Sequence, residues 1–190
     1  PDGELVLQVA RADDGATSQW IHDQLAVGES LKISGAYGTF IGDPAVDTPV
    51  LCLAAGTGLA PILSLAEAAL RRGFRKPVMM LMSARTREDA YAQGLMAWWR
   101  TKHRNFDYKI TLTREQHEGF LHGRVDAVLP RLLPDLSKHT VFAAGSPEFT
   151  ACCVETCKQL GAGADMIYTE GFFSVQSPVV AAPERLLPTP

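Results

Sequence analysis

The stretch Val50–Ile62, VLCLAAGTGLAPI, decides how the rest of the chain is read. It is an uncharged run interrupted by Gly56, Gly58 and Pro61, and its apolar residues suit a membrane span, a core strand or a nucleotide loop. A spanning helix needs about 20 consecutive apolar residues. This run begins after Pro49 and meets Glu67 too soon. Its glycines and proline divide it into a short strand, a turn and the start of a helix. A membrane span is excluded here.

Outward from that stretch, short apolar runs alternate with longer amphipathic ones from Ala45 onward. Strands are expected at Val50–Ala54, Val78–Met82, Tyr108–Thr113, Thr140–Ala143 and Met166–Tyr168. Helices are expected at Pro61–Arg72, Glu88–Arg100, Val125–Leu133 and Pro147–Leu160, with Gly73 and Gly161 where two of them should stop. Such alternation predicts an α/β fold, a five-stranded parallel sheet doubly wound by right-handed crossovers.

Residues 1–44 read as part of a β-rich unit. Leu5–Ala10 and Leu31–Ser34 are strand-like, Thr17–Leu25 suits one short helix, and GAYGTF at Gly35–Phe40 suits a tight turn. A piece this size is too small to close a core alone. Gly42–Asp47 is the expected junction, residues 45–173 form the second unit, and residues 174–190, with four prolines, read as an extended tail. The opening Pro1-Asp2-Gly3-Glu4 has no initiator methionine or signal peptide and reads as a start inside something longer.

Composition narrows the function. Among 190 residues, 46% are hydrophobic and 21% charged, ordinary for a globular chain. A net charge of −3 gives no basic footprint for nucleic acid. Four cysteines, three of them crowded at Cys152, Cys153 and Cys157, do not form a secreted disulfide pattern, so a reducing cytoplasm is expected. Cys153 and Cys157 lie one helical turn apart with no second ligand pair nearby, and the five histidines lack zinc spacing. No metal site is expected, and His117–His122 reads as a loop.

Four segments are candidates for chemistry. Gly56-Thr57-Gly58 follows a strand and opens a helix that carries Pro61 in its first turn. Free amides and the positive helix end there can hold a diphosphate, though a bare turn without ligand has the same pattern. The third glycine of the common dinucleotide fingerprint is missing. Gly15-Ala16-Thr17-Ser18 offers a helix start with Thr17 or Ser18 as N-cap and Trp20, Ile21 and Leu25 on the buried face. It holds an anion or merely caps a helix. Ser83-Ala84-Arg85-Thr86-Arg87-Glu88-Asp89 ends the second strand, where an acid favours a free ribose hydroxyl and an arginine a 2′-phosphate. Arg85 and Arg87 equally suit solvated surface charges. Gly145-Ser146-Pro147 repeats the strand–glycine–helix pattern of the opening stretch.

In order, these segments resemble the ferredoxin–NADP reductase family, especially the reductase components of bacterial oxygenases. GTGLAP at Gly56–Pro61 resembles its dinucleotide loop, GATS at Gly15–Ser18 its flavin diphosphate motif, and GAYGTF the turn that closes its flavin barrel. AGSPEF at Ala144–Phe149 resembles its nicotinamide-side motif, and YTEGFF at Tyr168–Phe173 its C-terminal acidic and aromatic element. The resemblance implies an NAD(P)-binding sheet preceded by part of an antiparallel β-barrel for FAD. It implies hydride transfer from NADH or NADPH to FAD and electron delivery to an iron–sulfur or oxygenase partner. Gly56, Thr57, Gly58 and Pro61 would then serve the dinucleotide, Ser83 and Arg85 its ribose, and Gly15, Thr17 and Ser18 the FAD. Gly145, Ser146 and Pro147 would shape the nicotinamide side, with Glu170 and Phe172 near the flavin ring as catalytic candidates. Glu88 and Asp89, like the habit of oxygenase-type relatives, lean toward NADH.

Three features depart from that pattern. No arginine-x-tyrosine-serine/threonine motif precedes Gly15, Ala144 stands where the family often has cysteine, and no plant-type iron–sulfur cysteine motif is present. Two other readings therefore stand beside the bound-flavin reductase: a reductase of diffusible flavin, and a non-catalytic nucleotide-binding or regulatory module.

Overall fold

The computed structural model describes residues 5–35, 40 and 47–172. Its centre is strand β1 (Val50–Ala55), whose four middle residues are all buried. Leu51 and Leu53 join one apolar cluster, Cys52 and Ala54 the other. Period-two alternation thus feeds two cores, one on each face, and that is why the run carries no polar residue.

After β1 come α2 (Leu59–Arg71), β2 (Val78–Ala84), α3 (Gln93–Lys102) and β3 (Phe106–Leu112). Then follow β4 (Leu121–His122), α4 (Val125–Leu132), β5 (Thr140–Gly145), α5 (Pro147–Gln159) and β6 (Ile167–Gly171). A short α1 (Ala16–Asp23) precedes them all. The sheet order is β4-β3-β2-β1-β5-β6, and each neighbouring pair is parallel. Helices α2 and α3 supply Ile62, Leu63, Met96 and Trp99 to one cluster; α4 and α5 supply Val128, Leu129, Cys153 and Cys157 to the other. The doubly wound expectation holds.

Helix ends follow local chemistry. Gly73 has φ +78° and Gly161 φ +91°. Phe74 N donates to Ala69 O and Gly73 N to Leu70 O, while Ala162 N donates to Cys157 O and Gly161 N to Lys158 O. Both are Schellman ends. The amino edge of the sheet is also stitched shut: Asn105 Nδ2 donates to the carbonyls of Phe74 and Lys76, and Val78 N to that of Asn105.

The structure corrects several expectations. A sixth strand, β4, lies within the expected loop His117–His122, with Thr111 opposite Leu121 and Leu112 opposite His122. Two residues carry no readable period. Helix α3 begins at Gln93 rather than Glu88 because Asp89 Oδ2 accepts from both the Thr86 amide and hydroxyl, closing a turn there. Leu5–Ala10 and Leu31–Ser34 are not paired as strands, since a strand requires a partner and the described residues give them none. Helix α1 is capped by Gly15, not Thr17 or Ser18, and has no fully buried residue, so Trp20, Ile21 and Leu25 form no deep core. Residues 36–39 of the expected tight turn, 42–46 of the junction and the 174–190 tail lie outside the described residues.

His139, just before β5, has a buried Nδ1 without a hydrogen-bond partner among the described residues. Desolvation lowers its pKa from the ordinary 6.5, with the Asp135 charge opposing. The unfolded chain therefore takes up this proton first, so the contribution is whole above pH 6.5 and is lost as the pH falls below it. His139→Gln should flatten that limb, as urea melts from about pH 5 to 7 would show.

Candidate functional site

Strands β1 and β5 are neighbours, yet the chain leaves them toward opposite faces, which makes a crevice at their carboxyl ends. Both ends are glycine turns. Gly56–Gly58 form one 3₁₀ turn between β1 and α2, and Gly56 adopts φ +54°, a value that favours glycine. A Cβ on Gly56 would meet no atom within 4 Å, so the space above this turn is open.

Gly58 is the opposite case. A Cβ there would lie 2.2 Å from the Ala144 carbonyl oxygen and 2.6 Å from the Gly145 nitrogen. On Gly145 it would lie 2.8 Å from a Phe149 ring carbon and 3.2 Å from the Ala55 carbonyl oxygen. The two turns are thus packed backbone against backbone.

The helices behind the turns differ electrostatically. Helix α2 starts with Gly58 as N-cap, no side-chain cap and no acid in its first turn. Pro61, in that first turn, has no amide to satisfy. Helix α5 is capped by Ser146, whose Oγ accepts from Phe149 N at 3.3 Å, and carries Pro147 and Glu148 in its first turn. Hydrogen bonds to the Glu148 backbone and to Ser146 hold the Glu148 carboxyl below its usual range. The α2 turn therefore suits an anion, whereas the α5 turn is already neutralised.

Beside them, β6 pairs Glu170 with Ala144 and Gly171 with Gly145, and Phe172 N donates to Gly145 O at 2.8 Å. Glu170 is half-buried and Phe172 exposed. Tyr168 stacks on Phe142 at 5.1 Å, with Phe40 edge-on to the same ring at 5.7 Å. The structure thus brings Gly56–Gly58, Gly145–Pro147 and the Glu170–Phe172 end together.

At the end of β2, Ser83 is half-buried opposite Ala55, and Arg85 is exposed. The backbone ladder continues past β3, with Arg114 N donating to Arg85 O at 2.9 Å. Neither the Arg85 nor the Arg114 guanidinium has a side-chain partner among the described residues, while Arg87 meets His117 Nε2 at 3.3 Å. Asp89 is occupied by Thr86, which weakens the reason for favouring NADH.

Gly15–Ser18 stands apart. Ser18 Oγ donates to Gly15 O at 2.9 Å and accepts from Ala12 N at 3.1 Å, so that hydroxyl is committed to its own turn. Thr17 is exposed, and α1 has no side-chain cap.

Sequence reasoning missed Tyr91. Its hydroxyl donates to Gly56 O at 2.7 Å and touches Gln8 Oε1. Helical periodicity had absorbed it into α3. The Thr86…Asp89 hydroxyl–carboxylate pair, a local turn signal, was the clue that the helix starts later. Ala92, the N-cap of α3, has φ +57°, the one positive φ outside glycine among the described residues. That geometry costs roughly 1–2 kcal/mol.

A cavity of about 390 Å³ lies elsewhere, among Arg100, Tyr108, Lys109 and Phe120. Arg100 sits 5.2 Å over the Tyr108 ring there. Gly119 and the α3 start at Gln93 line it too, but it lies away from the reversal point between β1 and β5, so the crevice is the better site. Among the described residues no cluster of histidine, cysteine or acid is placed to hold a metal ion. Burial pushes the Cys52 and Cys157 thiols up to about 12 and Cys153 still higher, which keeps them protonated core groups. No helix among the described residues is long and apolar enough to cross a membrane.

The profile of the oxidoreductase NAD-binding domain matches residues 52–155, more than half of the chain, and the chain belongs to that family, in its ferredoxin reductase-like branch. The reductase component of the naphthalene 1,2-dioxygenase system from Pseudomonas putida, a ferredoxin–NAD(P)(+) reductase, is 25% identical over 90% of this chain and 53% of its own length. Ferredoxin–NADP reductase B from Sorangium cellulosum is 34% identical over 77% of this chain and 59% of its own. The crystal structure of the Amycolatopsis cytochrome P450 reductase GcoB superposes with a TM-score of 0.81 at 26% identity, over 86% of this chain and 50% of that one. The chain thus spans a little over half the length of these curated relatives.

Gly58→Ala should force the two turns apart. It should cost roughly 1–3 kcal/mol and weaken dinucleotide binding at least about tenfold. Gly94→Ala, with open space around its Cβ inside α3, should leave binding unchanged and stabilise by roughly 0.5–1 kcal/mol. Thermal melts and NADH titrations of both variants check this.

Proposed function

We propose that the chain is the dinucleotide-binding part of an NAD(P)H-dependent flavoprotein reductase that passes electrons to an iron–sulfur or oxygenase partner. The carrying observation is the uncapped α2 turn packed against the Gly145 turn at the reversal point of the sheet. The names of the relatives, reductase components that serve oxygenases and ferredoxins, support it.

In this reading Gly56, Thr57 and Gly58 hold the dinucleotide diphosphate through backbone amides, and Ser83 and Arg85 meet the adenosine ribose. Gly145, Ser146 and Pro147 bound the nicotinamide. Glu170 and Phe172, fixed to that turn by β6, screen the ring side from water. Gly15 and Thr17 hold the FAD phosphate at the uncapped α1 start; Ser18 shapes the turn instead of meeting the ligand. When bound, FAD and NADH or NADPH supply hydride transfer and one-electron release. The protein's part is placement. Four free thiols support a reducing, cytoplasmic setting. We propose residues 1–44 as part of the FAD unit.

A second reading, a nucleotide-binding module without flavin, draws on the closed Ser18 hydroxyl and the shallow packing of α1. Mixing the protein with FAD and NADH without oxygen separates them. Loss of the oxidised flavin absorbance with turnover supports the reductase, and NADH binding without bleaching supports the module. Flavin that is reduced yet removed by gel filtration indicates a diffusible substrate.

If Arg85 meets a 2′-phosphate, Arg85→Ala should lower kcat/KM for NADPH about tenfold and leave NADH nearly unchanged. Equal small losses with both coenzymes would make Arg85 a solvated surface charge.

A further inference from the structure

The Gly56 carbonyl is held from two sides. It accepts from the Leu59 amide within the 3₁₀ turn and from the Tyr91 hydroxyl at 2.7 Å. Both lone pairs are then in use. In a trans peptide the C=O and the following N–H point in opposite directions, so fixing the Gly56 carbonyl also fixes the direction of the Thr57 N–H. That amide belongs to the turn whose outer space is open.

Tyr91 is itself held in place. Ala90 is buried and its amide donates to Arg87 O, while Gln93 Nε2 donates to Ala90 O at 2.6 Å. The left-handed Ala92 then turns the chain into α3. Tyr91 is half-buried, and desolvation pushes its pKa up to about 12, so the phenol remains a donor at working pH.

The same hydroxyl touches the Gln8 side-chain amide. A phenol has one proton, and the Gly56 carbonyl takes it. Gln8 must therefore present Nε2 as donor to the phenol oxygen, which an amide flip provides. Gln8 lies in the segment that binds α1 through Val9 O and His22 Nε2, 2.9 Å apart.

Resting on the assignment of Gly56–Gly58 to the dinucleotide diphosphate, we propose that Tyr91 is a positioning residue. Its hydroxyl proton pins the Gly56 carbonyl, aims the Thr57 N–H at the diphosphate, and ties that turn to the Gln8 segment. It touches no reacting atom. Its effect belongs to diphosphate recognition and not to the adenine or the nicotinamide.

Tyr91→Phe removes only the oxygen. ADP-ribose, which carries the diphosphate without the reacting ring, and adenosine, which lacks phosphate, are titrated into the full chain by calorimetry. The expected result is about tenfold weaker ADP-ribose binding with adenosine unchanged. Equal affinity of wild type and variant for ADP-ribose overturns the proposal while leaving the diphosphate turn intact. Parallel losses for both ligands overturn it too, because they report general damage. Failure of the wild type to bind ADP-ribose overturns the assignment of the turn itself. If Tyr91→Phe does not fold, the Thr57 amide is followed by NMR in the wild type. A large shift on adding ADP-ribose and none with adenosine supports the aimed N–H, and no shift with either overturns it.

Discussion

The backbone contact between the Gly58 turn and the Ala144–Gly145 turn governs the geometry of everything above it. A parallel sheet covered on both faces must reverse its winding once, and the reversal leaves a crevice at the carboxyl edge. Here it falls between β1 and β5. Such a crevice is generic, but its width is not. With a hypothetical Cβ only 2.2 Å from the Ala144 oxygen, only glycine at position 58 allows the observed spacing. The amides above are therefore preorganised by packing that any larger residue would break.

Preorganised amides still need a reason to prefer an anion, and the two helix starts differ in that respect. A bare helix N-terminus is worth about 0.3–1 kcal/mol toward a negative group, rising to about 2 when partly buried. Helix α2 keeps that preference because neither a side chain nor an acid satisfies it. Helix α5 has spent it on Ser146 and Glu148. Two turns with nearly the same sequence pattern thus divide the work, one for charge and one for shape.

The sequence made some of this legible, for physical reasons. Residues 50–54 must be apolar on both faces, so β1 could not be hidden. Gly73 and Gly161 occupy left-handed positions that few other residues tolerate, so the ends of α2 and α5 were visible too. The reverse holds where structure depends on a partner. Leu5–Ala10 is apolar and β-branched enough to read as a strand, yet pairing is a property of two segments. Leu5, Val6 and Leu7 instead remain 53–74% exposed. The start of α3 was obscured because Thr86 and Asp89 bond to each other rather than to a helix beginning at Glu88. Tyr91 was lost for the same reason, since a side chain's partner 35 residues away leaves no local mark.

Hydride transfer tolerates little error, because the reacting atoms must come within about 3–3.5 Å of one another. In the proposed reductase that tolerance would be concentrated on one peptide. Gly145 closes β5, lies against Ala55 and Gly58, and accepts the amide hydrogen of Phe172. The Gly56–Gly58 turn, the Gly145 turn and the aromatic end of β6 therefore share one reference point. Displacing that peptide moves all three at once, whereas a change in α1 or in the Arg85 corner moves only one contact. Placement along this edge is thus a single coupled quantity rather than a sum of independent contacts, the situation in which effects of neighbouring substitutions cease to add.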